Sequence, residues 1–172
     1  DGRWSQLSGK ARATVLLKVA DLIEANVERM ALIETLESGK PMEALPVLRE
    51  AFAKTNAQPL IASLFGHALI ATEDPANFEE AEKVLKASIT KDNENPFAWY
   101  QLGVVYDRKG DEARAAMATA ERYHLEGQPR LALANAEIAA RGLPQGSPDW
   151  IRAQDIALVS KTAADEEKHK RR

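Results

Sequence analysis

Apolar positions recur at helical spacing in short runs, and turn signals separate those runs about every 17 residues between Gly39 and Pro148. The turns fall at Gly39-Lys40-Pro41, Gln58-Pro59, Asp74-Pro75, Asn95-Pro96, Lys109-Gly110-Asp111, Gly127-Gln128-Pro129 and Gly146-Ser147-Pro148. The spacing predicts helices over about 10–24, 27–37, 59–72, 96–109 and 111–126, with others opening after Pro41, Asp74-Pro75, Pro129 and Ser147-Pro148. Leu16, Val19, Ala20 and Ile23 form the stripe of the first helix, predicted to be buried; Leu45, Leu48 and Phe52 form that of the third. Ser8 and Asp111 are predicted N-caps, and Asn77 with Glu80 has the spacing of a capping box. No run reads as a strand. The expected fold is all-α, a right-handed array of about nine antiparallel helices forming one domain over 1–161. Beyond Lys161 the apolar spacing fails, so 162–172 reads as a charged, frayed terminus.

Composition agrees with helix and narrows the partners. The 172 residues are 45% hydrophobic but only 6% aromatic, rich in the Ala, Leu, Glu and Lys that lose little rotamer freedom in a helix. A net charge of -3 and a pI near 5.7 supply no general field for nucleic acid. The absence of Cys removes disulfides, thiolate nucleophiles and the commonest zinc sites together. The most apolar run, from Val15 to Ile23, is interrupted by Lys18 and Asp21, so no membrane span is expected, and Asp1-Gly2-Arg3-Trp4 does not open as a secretory signal does. A soluble protein is expected, cytoplasmic if expressed as this chain, with no cofactor and no metal.

Two helices per period make a unit of roughly 34 residues, the length of a tetratricopeptide repeat. Trp99, Leu102, Gly103, Tyr106 and Ala115 sit at that repeat's Trp, Leu, Gly, Tyr and Ala positions, and Phe65, Gly66, Leu69, Ala81 and Leu85 match more loosely one unit earlier. Gly103 and Ala115 would let the paired helices approach closely, while Trp99, Leu102 and Tyr106 fill the space between hairpins. A half-offset register through Ala120, Tyr123, Gly127, Ala132, Ala139, Pro144 and Trp150 also scores, so the inner helix near the C-terminus stays open. Residues 37–156 resemble the C-terminal tetratricopeptide tail of bacterial HExxH zinc metallopeptidases through Asn95-Pro96-Phe97-Ala98-Trp99, Ala118-Thr119-Ala120-Glu121-Arg122-Tyr123 and the stretch from Gly146 to Ile156. That resemblance implies a bacterial periplasmic location for the tail. The peptidase itself is missing: His67, His124 and His169 are the only histidines, and no His-Glu-x-x-His occurs.

The first 44 residues differ. Trp4-Ser5, Ala11-Arg12, the run from Leu17 to Asn26 and Leu32-Ile33-Glu34-Thr35-Leu36-Glu37-Ser38-Gly39-Lys40-Pro41 resemble an early helical segment of aldehyde dehydrogenases. The catalytic Cys, the general-base Glu and the nucleotide-binding strands of that family lie outside such a segment. The two resemblances meet at Leu36-Glu37-Ser38-Gly39-Lys40-Pro41-Met42-Glu43-Ala44, which reads as the crossover of an engineered or recombined chimera. In it, residues 1–44 cap the hairpins of 45–161, with strain expected at Leu32, where the repeat wants Gly or Ala.

The expected function is a non-catalytic scaffold that binds an extended peptide or protein segment on its concave face. Ser63, His67, Ile70, Tyr100, Gln101, Val104, Asp107 and Arg108 occupy the groove positions, mixing an aromatic, an amide and charges as recognition surfaces do. A plain solvated face has the same composition. Trp4, Trp99 and Trp150 read as packing residues, and the clusters Glu79-Glu80-Glu82 and Asp165-Glu166-Glu167 lack the interleaved ligands and Gly of a calcium loop. The alternatives are an inactive fragment of an aldehyde dehydrogenase or zinc metallopeptidase, and a self-associating helical protein with no ligand.

Overall fold

The structure, a computed structural model, describes residues 6–25 and 41–170. The chain divides into two compact units, Asp1–Lys40 and Pro41–Arg172. In the first, helix α1 (Gly9–Ala25) starts where Ser8 Oγ accepts the Ala11 amide at 3.2 Å. The expectation of a buried stripe fails at Leu16 and Val19, which are 58% and 45% exposed. Spacing is enough to set a helix, but burial needs a surface opposite the stripe. The helix expected over 27–37, the strain at Leu32 and Trp4 lie outside the described residues.

The second unit is a succession of helices: α2 (Pro41–Lys54), α3 (Pro59–Ala71), a 3-10 turn (Pro75–Asn77), α4 (Phe78–Lys91), α5 (Pro96–Arg108), α6 (Glu112–Leu125), α7 (Pro129–Gly142) and α8 (Pro148–Lys170). Among the described residues the chain holds eight α-helices and no strand, and no helix is long and apolar enough to cross a membrane. Local chemistry fixes the starts. Prolines open α2, α3, α5, α7 and α8, where a missing N–H costs nothing, and side chains of Gln58, Asn95, Asp111 and Ser147 accept the amides of Ile61, Ala98, Arg114 and Trp150. Three ends close alike: Ala57, Asp111 and Gln128 donate back to the carbonyls of Phe52, Tyr106 and Tyr123, around left-handed Asn56, Gly110 and Gly127.

Two local expectations change. Asn77 makes no side-chain cap; its amide donates to Thr72 Oγ1 at 2.9 Å, and Asp74 caps the 3-10 turn instead by accepting from Ala76. Glu80 is drawn away from a capping box into a pair with Arg49. At the other end, the terminus expected to fray beyond Lys161 is helical as part of α8 to Lys170, a stretch whose Ala, Glu and Lys favour helix without a buried face.

Each helix of the second unit packs on the next one in sequence, and the strongest packing between second neighbours is α3 on α5 and α6 on α8. The core follows this path through Leu48, Phe65, Leu69, Leu85, Leu102 and Val105. It becomes small and alanine-based near the end, where Ala120, Ala132 and Ala136 close around Ile156. The close approach expected at Gly103 is ordinary, since a Cβ there would lie 3.4 Å from Thr119 Oγ1; among the described residues the crowded glycines are Gly66 and Gly142, where a Cβ on the latter would lie 2.7 Å from the Ala113 Cβ.

Candidate functional site

Helices α3 and α5 bring together part of the predicted surface. Gln101 Nε2 donates to His67 Nδ1 at 2.8 Å, between residues 34 apart. The amide nitrogen can only donate, so His67 Nδ1 is the acceptor of this bond. The His67 ring also meets Phe97 at 5.9 Å between centroids, and Phe97 is 41% exposed. One turn further along α5, the exposed Tyr100 ring lies 5.0 Å under the Arg122 guanidinium, which also stands 4.9 Å from the Tyr123 ring and pairs with Glu126 at 2.8 Å. Ile70 and Val104 are half-buried, and Asp107 and Arg108 are exposed at the end of α5. The result is a surface on which the half-buried His67, the exposed Phe97 and Tyr100 rings and the Arg122 guanidinium follow one another across α3, α5 and α6.

Two of the predicted groove positions are interior. Gln101 is buried, with its amide on the His67 ring. Ser63 is wholly buried at the meeting of α3, α4 and the start of α5. There Ser63 Oγ and Ser88 Oγ both approach the Pro59 carbonyl, at 2.8 and 2.9 Å, and lie 3.0 Å from each other, while Asn95 Nδ2 donates to Ser63 at 3.3 Å. Ser63 is therefore a tie between three helices. Sequence reading missed Phe97 and Arg122. Phe97 stands one turn before Gln101 on the same face of α5, a usable signal, whereas Arg122 arrives from α6, which no local pattern reveals.

Trp99, Leu102 and Tyr106 are buried, and Ala115 is half-buried. Trp99 Nε1 donates to the Asn93 carbonyl at 2.8 Å, and Trp150 Nε1 to the Ala140 carbonyl at 3.1 Å, so both indoles are satisfied in packing roles. Burial pushes the Tyr106 hydroxyl above its ordinary range. Beside it, Glu82 joins Lys86 at 2.6 Å and Lys109 at 2.5 Å. Burial alone would raise the Glu82 carboxyl, but the hydrogen bonds from Lys109 and Lys86 outweigh it and hold the group below the usual glutamate range. A second charged pair lies at the C-terminal end, where Arg152 on α8 bonds the buried Glu121 of α6 and covers the Trp99 ring at 5.1 Å. A cleft of about 370 Å³ opens beside it, lined by Glu94, Glu121, His124, Arg152 and Asp155 among others. Among the described residues no group of three His, Asp or Glu side chains could hold a metal ion.

Comparison with known proteins bears on the beginning of the chain. The model of the aldehyde dehydrogenase family matches residues 1–55. Aldehyde dehydrogenase 1 of Tanacetum cinerariifolium is 49% identical over 43 residues, which are 25% of this chain and 9% of that protein. The NADP/NAD-dependent aldehyde dehydrogenase PuuC of Escherichia coli (strain K12) is 54% identical over 41 residues, 24% of this chain and 8% of that protein. Betaine aldehyde dehydrogenase of Bacillus subtilis (strain 168) is 45% identical over 42 residues, 24% of this chain and 9% of the relative. The chain thus spans less than a tenth of the length of these curated relatives, and the likeness to aldehyde dehydrogenases is a property of its first 55 residues.

Proposed function

We propose that the second unit is a non-catalytic, tetratricopeptide-like scaffold that binds an extended peptide across His67, Phe97, Tyr100 and Arg108, joined in a chimera to an aldehyde-dehydrogenase-like N-terminal segment. The observation that carries this reading is the bond between His67 and Gln101. It links matching helices α3 and α5 across 34 residues, the period of the repeat, and holds the His67 ring beside the exposed Phe97. The chemistry supports recognition more than turnover, because the side-chain polar partner of the His67 ring is the Gln101 amide, which is neither a nucleophile nor a carboxylate. The test is panning a displayed library of extended peptides on the full chain, then titrating the enriched peptides. Affinity is expected to fall at least about tenfold on Tyr100→Ala or Phe97→Ala. No enrichment, or binding unaffected by both changes, overturns the reading.

A second reading has more direct support from the comparisons: the chain is an inactive fragment of an aldehyde dehydrogenase, as its match over residues 1–55 suggests. With no Cys in the sequence, a thiolate acyl intermediate cannot form. Titration of the full chain with NAD and NADP, together with an aldehyde oxidation assay, tests what the two readings share. Cofactor binding or turnover would overturn both the scaffold and the inactive fragment.

A further inference from the structure

Two boundaries in this chain do not coincide. The aldehyde-dehydrogenase-like segment reaches residue 55, whereas the compact unit that holds the helical array starts at Pro41. Helix α2 lies between them, so it belongs by sequence to the first and by packing to the second. Its seat is well specified: Ala44, Leu45 and Leu48 are buried, and the Phe52 ring meets Phe65 of α3 at 5.8 Å. Arg49 fixes the register with a two-pronged bond to Glu80 of α4, Nε to Oε1 at 3.0 Å and Nη2 to Oε2 at 2.7 Å, while its guanidinium covers Phe65 at 5.6 Å.

The joint that delivers α2 to this seat is short and conformationally unfavourable. Asn56 and Ala57 are consecutive non-glycine residues at φ 49° and 55°, the left-handed region in which an L side chain crowds its own carbonyl. Lys91 Nζ holds the Asn56 carbonyl in place. Helix α2 is also weak in itself, because Pro46 gives no N–H to the carbonyl one turn back. A specific seat, a weak helix and a strained short hinge are the conditions under which two copies exchange an element, since every contact is remade in trans while the hinge relaxes.

We infer that α2 is an exchangeable cap: at high concentration the α2 of each copy swings out at residues 55–57 and occupies the α3–α4 seat of a second copy of this chain. The partner is specified by the seat, which fits a helix carrying Leu45, Leu48, Arg49 and Phe52. This inference rests on α2 and its hinge and is independent of peptide binding on α5.

The absence of Cys makes the contact easy to report. Full chains carrying Arg49→Cys and Glu80→Cys separately are mixed at high concentration and treated with a short bis-maleimide. An exchanged dimer gives a cross-linked heterodimer, and the same pair placed in one chain gives an internal link that reports an intact seat. Sedimentation of the unmodified chain should show a dimer whose dissociation constant rises about tenfold or more when Asn56→Gly and Ala57→Gly relax the hinge. A chain that stays monomeric at its highest soluble concentration overturns the inference. So does a dimer that yields no Arg49→Cys to Glu80→Cys cross-link, or one indifferent to the two glycines.

Discussion

Gly66 of α3 faces Leu85 of α4 so closely that a Cβ on Gly66 would lie 2.5 Å from both Cγ and Cδ2 of Leu85. Leu85 is fully buried, so it cannot swing away without displacing its own neighbours. Gly66→Ala should therefore destabilise the second unit by about 1–3 kcal/mol through overpacking. Gly103→Ala meets ordinary contacts and should be neutral or stabilising by up to about 1 kcal/mol, since Ala is the better helix former. Urea denaturation of the two variants checks both signs; equal losses would mean that the Leu85 contact does not govern the helix spacing.

The tie between Ser63, Ser88 and the Pro59 carbonyl contains two hydroxyl protons for three contacts. Removing either hydroxyl leaves the other still donating to Pro59, so each single Ser→Ala change should cost about 1 kcal/mol or less. The double variant leaves the carbonyl without a side-chain donor and should cost more than the sum of the singles. A double-mutant cycle by denaturant unfolding measures the coupling.

Glu82 links α4 to α5 through Lys109 while pairing with Lys86 on its own helix. Its carboxyl is held below the ordinary glutamate value of 4.5, so the folded state binds a proton less readily than the unfolded one. The stabilisation is therefore complete above about 4.5 and is lost as pH falls through the lower folded value. Glu82→Gln should cost about 1 kcal/mol at neutral pH, with the difference from the unaltered chain shrinking below pH 4.5. Thermal melts of both proteins across that window test the sign; a gap that widens on acidification would refute the assignment.

Arg152 is the counter-charge of the buried Glu121, and burial lowers its own guanidinium from the ordinary arginine range. Arg152→Met keeps cover over Trp99 but leaves the carboxylate unpaired, and should cost about 2–4 kcal/mol. Glu121→Gln, which removes the buried charge, should cost less. Adding Glu121→Gln to Arg152→Met should restore part of the loss, as read by urea midpoints.

Much of the helix layout was legible because its signals are local. Asp111 as a cap, Gly110 and Gly127 as left-handed ends, and Pro59, Pro96 and Pro129 at helix starts each act within about one turn. The candidate surface was half legible: Tyr100, Asp107 and Arg108 are exposed on α5, but Ser63 and Gln101 share that polar pattern and are interior. A polar side chain at a helical position reads the same whether water or another helix satisfies it.

By itself, the sequence determined where most helices of the second unit begin, that its described residues are all-helical, and that no thiol chemistry is available, because these depend on caps, propensities and residue identity. Only the tertiary structure decided that Leu16 and Val19 stay exposed, that Gly66 rather than Gly103 is the crowded glycine, and that α2 packs with α3 although its sequence is aldehyde-dehydrogenase-like. Each of those outcomes depends on which surface lies opposite a residue, and that is set by side chains distant in the chain.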